Sequence, residues 1–419
     1  MLNNNYICVL DIGSSKIAAC VARVRRGTVT AVFFDTLPSR GVKEGVIVDS
    51  IELVDCVGRL LKNLKSASGL NIKSLSTNIS GRDIATKYSR AVIPLAERGN
   101  KVITLSDIQK VNAQARILGS SLEEEIIHQI PAHYAIDSKS SLINPLGLYS
   151  HRLEVNLFLV CGKLSSIQSL TRVINQSGYE IKNLFFSGFA TARAVFGEAQ
   201  KKGLKVFCDM GSDITELLIF KDGILKDVEI LNMGGDDFTR QLSKDLKINF
   251  DLAQDVKRSY GIIGDAGQIS QEKEILLKKN DLYEPVKQKL VSEIITQKAK
   301  QLSSGIKEAL EGKVSFYEVD NFIATGRAFL IEGFIEMLEN VLEVPVSLGR
   351  LNNPQLAALV KENRGLSGQK YPVYLTCLGM LSDSLQKAPQ EILFTKEAPA
   401  HNPITRALNR FKEVYQEYF

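Results

Sequence analysis

The stretch DIGSSK, residues 11–16, combines a carboxylate, a glycine turn, two hydroxyls and an amine. A related stretch, DMGS at 209–212, recurs between apolar runs in the second half of the chain. A Gly-Ser turn between two strands exposes backbone N–H groups and hydroxyls that can bind phosphate oxygens. An aspartate that ends the preceding strand can hold Mg²⁺ through water, because that ion keeps much of its hydration. The two stretches predict a phosphate clamp in which Asp11 and Asp209 hold the metal; two hairpins without a ligand are the alternative.

The same pattern of elements surrounds both stretches. Runs rich in Val, Ile, Phe and Cys, separated by turns with glycine, predict three strands at 6–11, 16–24 and 28–34. Apolar residues at helical spacing then predict a helix over 50–68. The order repeats with strands at 204–209, 214–220 and 224–232 and a helix from about 236. The repetition predicts two similar domains that face each other.

Other segments complete the outline. Residues 106–118 predict a long helix, and NFIATG at 321–326 predicts a strand that leads into a helix over 328–341. Residues 240–318 are charged and rich in predicted helix, and they include the lower-complexity stretch SQEKEILLKKNDLYEPVKQK. Two prolines mark 386–401 as a linker.

Composition narrows the class of protein. The 419 residues exceed what one hydrophobic core supports, and 44% apolar with 24% charged residues is ordinary for a soluble globular chain. A net charge of +5 is too small to indicate nucleic-acid binding. No run approaches the roughly 20 apolar residues of a membrane span, and no signal peptide is visible, so we expect a cytoplasmic protein. The six cysteines form no CxxC pair and are expected to be buried thiols, and the four histidines are too scattered for a metal site.

Several segments outside the two hairpins resemble one family. The chain resembles the actin-like ATPase superfamily and, within it, the FtsA family of bacterial cell-division proteins. The segments that carry this resemblance are ISGRDI (79–84), EIIHQIPAHYAIDSKSSLINPLGLYSHRLEV (125–155), NMGGDDFTRQL (232–242) and, more loosely, AQDVKRSYG (253–261) and FIATGRAFLIEGF (322–334). The resemblance implies an α/β, actin-like (ribonuclease-H-like) two-domain fold with an FtsA-type inserted subdomain and a C-terminal amphipathic helix.

The resemblance also implies a division of the chain. Subdomain 1A comprises 1–80 and 166–203, the FtsA-specific subdomain 1C comprises 81–165, and subdomain 2A comprises 204–239 and 319–385. Subdomain 2B, at 240–318, corresponds to the part of FtsA that binds the C-terminal peptide of the tubulin-like protein FtsZ. The linker at 386–401 and a membrane-targeting helix at 402–419 follow.

By the same resemblance, the two hairpins bind ATP with Mg²⁺. The first phosphate loop consists of Asp11, Gly13, Ser14, Ser15 and Lys16. The second includes Asp209, Gly211, Ser212 and Thr215. Lys257 lies where the family contacts the nucleoside, and the remaining cofactor-binding positions are Gly235 and the adenosine turn of Gly326, Arg327 and Ala328.

Four residues depart from the family pattern at this site. Asp213 stands where a glycine lets the backbone approach phosphate and adopt positive φ, and like charges 4 Å apart repel by roughly 4 kcal/mol at an effective dielectric of about 20. Ile214 removes a hydroxyl, Arg327 replaces a glycine, and Gln254 replaces a frequent glutamate. The departures predict weakened ATP binding with little or no hydrolysis, and no catalytic residue is assigned. An Mg²⁺ ion held by Asp213 would partly offset the repulsion.

The C-terminal segment NPITRALNRFKEVYQEYF predicts an amphipathic helix. Asn402 is a suitable N-cap and Pro403 a suitable first helical residue. At about 100° per residue, one face is entirely apolar: Ile404, Ala407, Leu408, Phe411, Val414, Tyr415, Tyr418 and Phe419. This pattern is typical of a helix in a membrane interface, anchored by Ile404, Leu408, Phe411 and Tyr415. A terminal helix docked on the protein's own core is the alternative.

The charged helix around 287–310 is the predicted partner surface. Its pattern places Leu290, Ile294, Leu302, Ile306 and Leu310 toward a core and leaves Lys287, Lys289, Lys298 and Lys300 exposed. Lys298 lies where FtsA usually has arginine, so it is the candidate FtsZ contact, and a merely solvated basic surface is the alternative.

The resemblance as a whole implies a peripheral protein on the cytoplasmic side of the inner membrane at the division septum. Its partners are FtsZ, further copies of itself in a filament, membrane lipid and other divisome proteins, without nucleic acid. An active ATPase of the actin superfamily and a pilus-assembly scaffold of the PilM type are the alternatives.

Overall fold

The chain starts with a strand meander, a helix and a further strand. These are β1 (Tyr6–Ile12), β2 (Lys16–Arg25), β3 (Thr28–Pro38), β4 (Val42–Lys43), β5 (Val46–Ile47), α1 (Ser50–Ser68) and β6 (Ser74–Ile79). The computed structural model describes residues 6–25, 28–96, 99–137, 139–196, 202–264, 273–279, 282–362 and 372–385. α1 begins where the side chain of Asp49 accepts hydrogen bonds from the N–H groups of Ile51 and Glu52, and its apolar face is buried in one core with β1 and β2.

A separate sheet follows within the first half of the chain. Its region contains β7 (Ile84–Pro94), β8 (Lys101–Val102), α2 (Leu105–Leu118), β9 (Glu124–Ile136), β10 (Lys139–Leu142), β11 (Tyr149–Ser150) and β12 (Arg152–Lys163). Four of these strands form an antiparallel sheet in the order β10-β9-β12-β7. α2 has a capping box, in which Thr104 and Asp107 each bind the backbone N–H of the other, and it packs on this sheet in its own apolar core.

The chain then returns to the first sheet through α3 (Leu164–Gln176), β13 (Glu180–Phe186) and α4 (Ser187–Val195). The finished sheet has the order β13-β6-β1-β2-β3. Its hairpin strands are antiparallel, whereas β6 and β13 are added in parallel to β1.

The second half of the chain builds a matching sheet. Its elements are β14 (Leu204–Met210), β15 (Thr215–Lys221), β16 (Ile224–Leu231), α5 (Gly235–Leu246), α6 (Phe250–Tyr260), β17 (Glu274–Lys279), β18 (Leu282–Lys287), α7 (Gln288–Leu310), β19 (Val319–Thr325), α8 (Phe334–Leu342), β20 (Val346–Leu348), α9 (Pro354–Glu362) and α10 (Leu375–Leu385). The sheet order is β16-β15-β14-β19-β20, again an antiparallel meander extended by two parallel strands. The predicted duplication is confirmed.

Two elements of the second half differ from the sequence prediction. The helix expected over 328–341 begins only at Phe334, after a 3₁₀ turn over Arg327–Leu330. Gly333 separates them because it adopts a φ of +85°, and a Cβ there would lie 1.7 Å from the carbonyl oxygen of Ile263. The lower-complexity stretch contains the β17–β18 hairpin rather than helix alone.

α7 buries a broader face than the sequence pattern suggested. Ile294, Leu302, Ile306 and Leu310 are buried as predicted, together with Val291, Ile295 and Ala299. The prediction for Leu290 was wrong: its side chain is 45% exposed, because it lies about 100° around the helix from the buried Val291.

All six cysteines are buried free thiols, as predicted. No helix among the described residues is long and apolar enough to cross a membrane. The linker at 386–401 and the helix predicted for 402–419 lie outside the described residues.

Candidate functional site

A cleft of about 780 Å³ lies between the two five-stranded sheets. Nearly all the residues predicted to bind cofactor line it: Asp11, Gly13, Ser14, Ser15, Lys16, Asp209, Gly211, Ser212, Gly235, Lys257, Gly326, Arg327 and Ala328. The four departures from the family pattern line it as well, through Asp213, Ile214, Gln254 and Arg327. Residues predicted from segments that are far apart in the chain therefore line one and the same cleft.

The two hairpin turns have matching geometry. In the first, the N–H of Gly13 donates to the carbonyl of Lys16 at 3.0 Å; in the second, the N–H of Gly211 donates to the carbonyl of Ile214 at 2.8 Å. Each turn follows an aspartate at the end of a central strand, β1 or β14. Both loops therefore present backbone and side-chain donors toward the same space, as phosphate binding requires.

The carboxylate of Asp11 is held by two protein donors. Lys16 Nζ lies 2.9 Å from one oxygen, and the amide of Asn78 donates to the other at 2.8 Å. Asn78 also accepts a hydrogen bond from the backbone N–H of Ile12 at 2.8 Å. The aspartate is thus fixed in place before any ligand is present.

Asp209 has a similar arrangement in the second sheet. The hydroxyl of Thr325 donates to its carboxylate at 3.0 Å. Burial raises the pKa of Asp209, and the nearby Asp11 raises it further, while hydrogen bonds from Thr191 and Thr325 oppose the shift. A cation between the two aspartates would stabilise their ionised forms and so lower the pKa of Asp209.

The fit to a metal is partial. Within the described part of the chain, no three His, Cys, Asp or Glu side chains are grouped so as to hold a metal ion. Both candidate aspartates already accept hydrogen bonds from protein groups. Contact with Mg²⁺ through water remains a prediction.

Lys257 of α6 lies against the start of α5. Its Nζ donates to the carbonyl of Gly235 at 2.8 Å and to the hydroxyl of Thr239 at 2.7 Å. Burial lowers the pKa of Lys257 to about 8, an effect that Asp236 opposes and that Arg258 and Arg327 reinforce. An anionic ligand in the cleft would therefore stabilise the charged form of Lys257.

Two of the departing residues contact the opposite side of the cleft. The guanidinium of Arg327 donates to the hydroxyl of Ser15 in the first loop at 3.0 Å. The carboxylate of Asp213 accepts hydrogen bonds from the N–H of Glu44 and from Arg240, both at 3.2 Å. Asp213 does not adopt positive φ, so the second loop has a shape that a non-glycine residue tolerates.

Three groups of predicted site residues lie elsewhere. Thr215 does not reach the cleft, because its fully buried hydroxyl donates to the carbonyl of Met233 at 2.8 Å. Lys298 lies on α7, half-buried, with its Nζ 3.4 Å from Gln301 Oε1. The membrane residues Ile404, Leu408, Phe411 and Tyr415 lie outside the described residues.

The four lysines predicted on the partner surface do not share a face. Lys287 and Lys300 are exposed and Lys289 is half-exposed. At 100° per residue, Lys289 and Lys300 lie within about 20° of each other, whereas Lys298 lies roughly opposite.

Sequence reasoning missed the polar residues that hold the aspartates. Asn78 lies near the end of β6 and Thr325 is the last residue of β19, and these strands are the parallel neighbours of β1 and β14. Glu216 was missed as well: it is buried, and its carboxyl accepts a hydrogen bond of 2.6 Å from Ser80 of the other domain. The position of Thr325 within the strand predicted at 321–326 was the available signal for that residue, whereas no predicted strand contained Asn78.

Solved structures share this arrangement of sheets and cleft. The protein in the PilM-PilN type IV pilus biogenesis complex superposes with a TM-score of 0.63 at 16% identity, over 91% of this chain and 98% of that one. MreB5 of Spiroplasma citri bound to ADP gives 0.51 at 11% identity, over 88% and 98%. The MamK double helical filament gives 0.53 at 10% identity, over 91% and 99%. With its duplicated sheet and paired loops, the molecule has an actin-like fold.

Sequence comparisons identify the family within that class. The model of the cell division protein FtsA matches residues 206–361, and the SHS2 domain inserted in FTSA matches 81–161. Cell division protein FtsA of Borreliella burgdorferi is 25% identical over 83% of this chain and 85% of that protein. The Pseudomonas aeruginosa protein of the same name is 24% identical over 100% of this chain and 99% of its own length. The chain belongs to the FtsA family of cell-division proteins.

Proposed function

We propose that this protein is a membrane adaptor of cell division, which forms filaments with itself and tethers FtsZ filaments to the cytoplasmic side of the inner membrane at the septum. The observation that carries the proposal is the extent of the Pseudomonas match, which takes in the whole chain and therefore the predicted anchor at 402–419. Self-assembly is supported by the fold, which is shared with a protein solved as a double helical filament.

We assign a separate role to each predicted subdomain. Subdomains 1A (1–80 and 166–203) and 2A (204–239 and 319–385) enclose the nucleotide. Subdomain 1C (81–165) is the family-specific insertion, and 2B (240–318) carries the FtsZ contact near Lys298. The segment 386–401 links this body to the anchor.

ATP is the ligand we propose for the cleft. Its lining supplies backbone donors, hydroxyls and basic side chains, and the fold is shared with a protein solved with ADP. Asp213 adds a carboxylate beside the second loop, which disfavours phosphate oxygens and weakens binding. The nucleotide therefore acts mainly as a bound ligand rather than a substrate.

Co-sedimentation tests the adaptor role. The full-length protein is mixed with liposomes of phosphatidylethanolamine and phosphatidylglycerol, with FtsZ and GTP, in the presence and absence of ATP. We expect the protein to pellet with lipid and to bring FtsZ down with it. A protein that stays in the supernatant, or pellets without FtsZ, contradicts the proposal.

The likeness to the PilM-PilN structure favours a pilus-assembly scaffold as the second candidate. That role does not require the predicted anchor at 402–419, and it is favoured if the protein stays in the supernatant of the same experiment.

A further inference from the structure

One wall of the cleft carries three basic side chains that form no salt bridge with another described residue. Lys257, Arg258 and Arg327 all line the cleft, and none of them lies within 4.0 Å of a described carboxylate. The other cations at the site are paired, Lys16 with Asp11 and Arg240 with Asp213 and Asp237. Asp236 also lines the cleft and interacts electrostatically with Lys257 and Arg327, so it offsets part of the positive charge on this wall.

Arg327 extends this charge across the cleft. It follows β19 in the second sheet, yet its guanidinium bonds to Ser15 of the first phosphate loop. The group therefore lies between the two loops and remains exposed to the open cleft. A guanidinium offers a fork of donors that matches two oxygens of one phosphate, which an ammonium group cannot do.

The acidic side of the cleft shows the complementary arrangement. Asp11 is already neutralised by the ammonium group of Lys16 at 2.9 Å, and Asp213 by Arg240 at 3.2 Å. Asp209 accepts a hydrogen bond from the hydroxyl of Thr325, which brings no positive charge. Lys16 and Arg240 thus offset the charges of Asp11 and Asp213, and the basic side chains of the opposite wall remain for a polyphosphate.

We propose that Arg327 is a resident counter-cation for phosphate, so that this cleft binds a nucleoside polyphosphate without a divalent metal. The proposal rests on the nucleotide site of the proposed function, deepens it, and replaces the Mg²⁺ contact that the sequence predicted. Lys257 and Arg258 add to the same positive field, and Ser15 orients the guanidinium.

Titration of a fluorescent ATP analogue tests the proposal on the full-length protein. Anisotropy is measured once with excess Mg²⁺ and once with EDTA. We expect the wild type to bind in EDTA with an affinity within about threefold of that in Mg²⁺, since the charge is already balanced by the protein. Arg327→Gly should weaken binding in EDTA by about tenfold or more, the effect of one charge-assisted hydrogen bond, and Mg²⁺ should restore part of the loss.

Two further variants make the result specific. Arg327→Lys keeps the charge without the fork, so its affinity in EDTA should fall between wild type and Arg327→Gly. Arg172→Ala removes the same charge from the exposed surface of α3, and it should leave both affinities unchanged. Melting temperatures of all variants identify any loss of folding.

The outcomes separate this proposal from the nucleotide site itself. Binding by the wild type only when Mg²⁺ is present overturns the role of Arg327 and leaves the nucleotide site intact. Equal losses for Arg327→Gly with and without metal likewise overturn it. Failure to bind under both conditions overturns the nucleotide site as well, whereas liposome recruitment of FtsZ still tests the adaptor role independently.

Discussion

Asp213 and Glu44 lie on opposite sides of the cleft and are joined directly, because the carboxylate of Asp213 accepts the backbone N–H of Glu44 at 3.2 Å. Glu44 is in the turn between β4 and β5 and has a φ of +51°, an uncommon conformation for a residue with a side chain. Arg240 holds the other oxygen of the same carboxylate. A residue expected to repel phosphate therefore also links the two halves of the molecule.

Replacing Asp213 by glycine should tighten ATP binding by about tenfold, as measured by isothermal titration calorimetry. The substitution removes a negative charge beside the second phosphate loop, and Arg240 becomes free to meet the ligand. The effect is smaller than that of a bare carboxylate because Arg240 already offsets part of its charge. Asp213→Asn is the matched control for the contact between the two halves of the molecule, since its amide oxygen still accepts the N–H of Glu44. If neither variant binds more tightly, repulsion by Asp213 does not limit affinity.

Hydrolysis by the unmodified protein should be close to background. The second loop retains its turn, but Asp213 and Ile214 replace the glycine and the hydroxyl residue implied by the family resemblance. Release of inorganic phosphate from ATP with Mg²⁺, followed over hours at saturating nucleotide, is the measurement. Sustained metal-dependent turnover would instead favour the active-ATPase alternative.

Stability should fall with rising pH because of Glu216. The pKa of its carboxyl is raised from 4.5 to about 8, mainly by burial and also by the nearby Asp209, while the hydrogen bond from Ser80 opposes the shift. The folded state therefore holds this proton more tightly than the unfolded chain does. The stabilisation is full below pH 4.5 and is lost as the pH rises through about 8, at about 1.4 kcal/mol per pKa unit.

Glu216→Gln isolates this effect, since the amide stays neutral and still accepts a hydrogen bond from Ser80. Melting temperatures are compared from pH 5 to 8.5 in EDTA and without nucleotide. The variant should match the wild type at low pH and exceed it increasingly toward pH 8.5. Glu336→Gln, at an exposed position of α8, serves as the control and should show no such divergence. Parallel curves for Glu216→Gln and wild type would contradict the prediction.

Reversing Lys298 to glutamate should weaken binding of the FtsZ C-terminal peptide about tenfold while liposome binding stays unchanged. The reason is that Lys298 can pair with a peptide carboxylate once its weak contact with Gln301, at 3.4 Å, is released. Lys289→Glu, on the other side of the same helix, carries the same charge change and should have little effect. Fluorescence anisotropy of a labelled peptide gives the affinities. Equal responses of the two variants would indicate a solvated basic surface.

Phe411→Glu should abolish liposome co-sedimentation and leave the melting temperature unchanged. Full burial of a Leu or Phe side chain is worth roughly 1.5–3 kcal/mol, so partial burial of four anchors gives only a few kcal/mol. A charge at the centre of the apolar face removes one anchor and opposes insertion of the rest. Gln416→Glu adds the same charge on the polar face and should still pellet. A lowered melting temperature for Phe411→Glu would instead indicate a helix docked on the core.

The duplicated hairpins were predictable because each sheet begins with the same meander. Runs rich in Val, Ile, Phe and Cys predict β1 to β3 and β14 to β16, and glycine turns separate them. The helix of 106–118 was likewise predictable, since Thr104 and Asp107 form a local capping box at its start. The residues that make up signals of this kind lie close together in the sequence, so the sequence alone reveals them.

Contacts that cross the cleft were not predictable in the same way. The positions of Asn78 and Thr325 depend on parallel pairing with β1 and β14, which no local pattern encodes. The bridge from Asp213 to Glu44 joins two turns that only the packed domains bring together. Thr215 was misplaced because alternation along β15 turns its side chain to the interior, away from the loop before it.

α10 is the last described element before the linker, and it touches the cleft at one end and a buried ion pair at the other. The hydroxyl of Thr376 lies 3.0 Å from that of Thr191, while Asp383 pairs with Arg193 of α4. Between them, Gly379 lets the helices approach, since a Cβ there would lie 1.8 Å from the carbonyl oxygen of Ala190. The helix from which the chain continues beyond Leu385 is therefore also part of the cleft wall, and about two and a half helical turns separate Leu385 from Thr376.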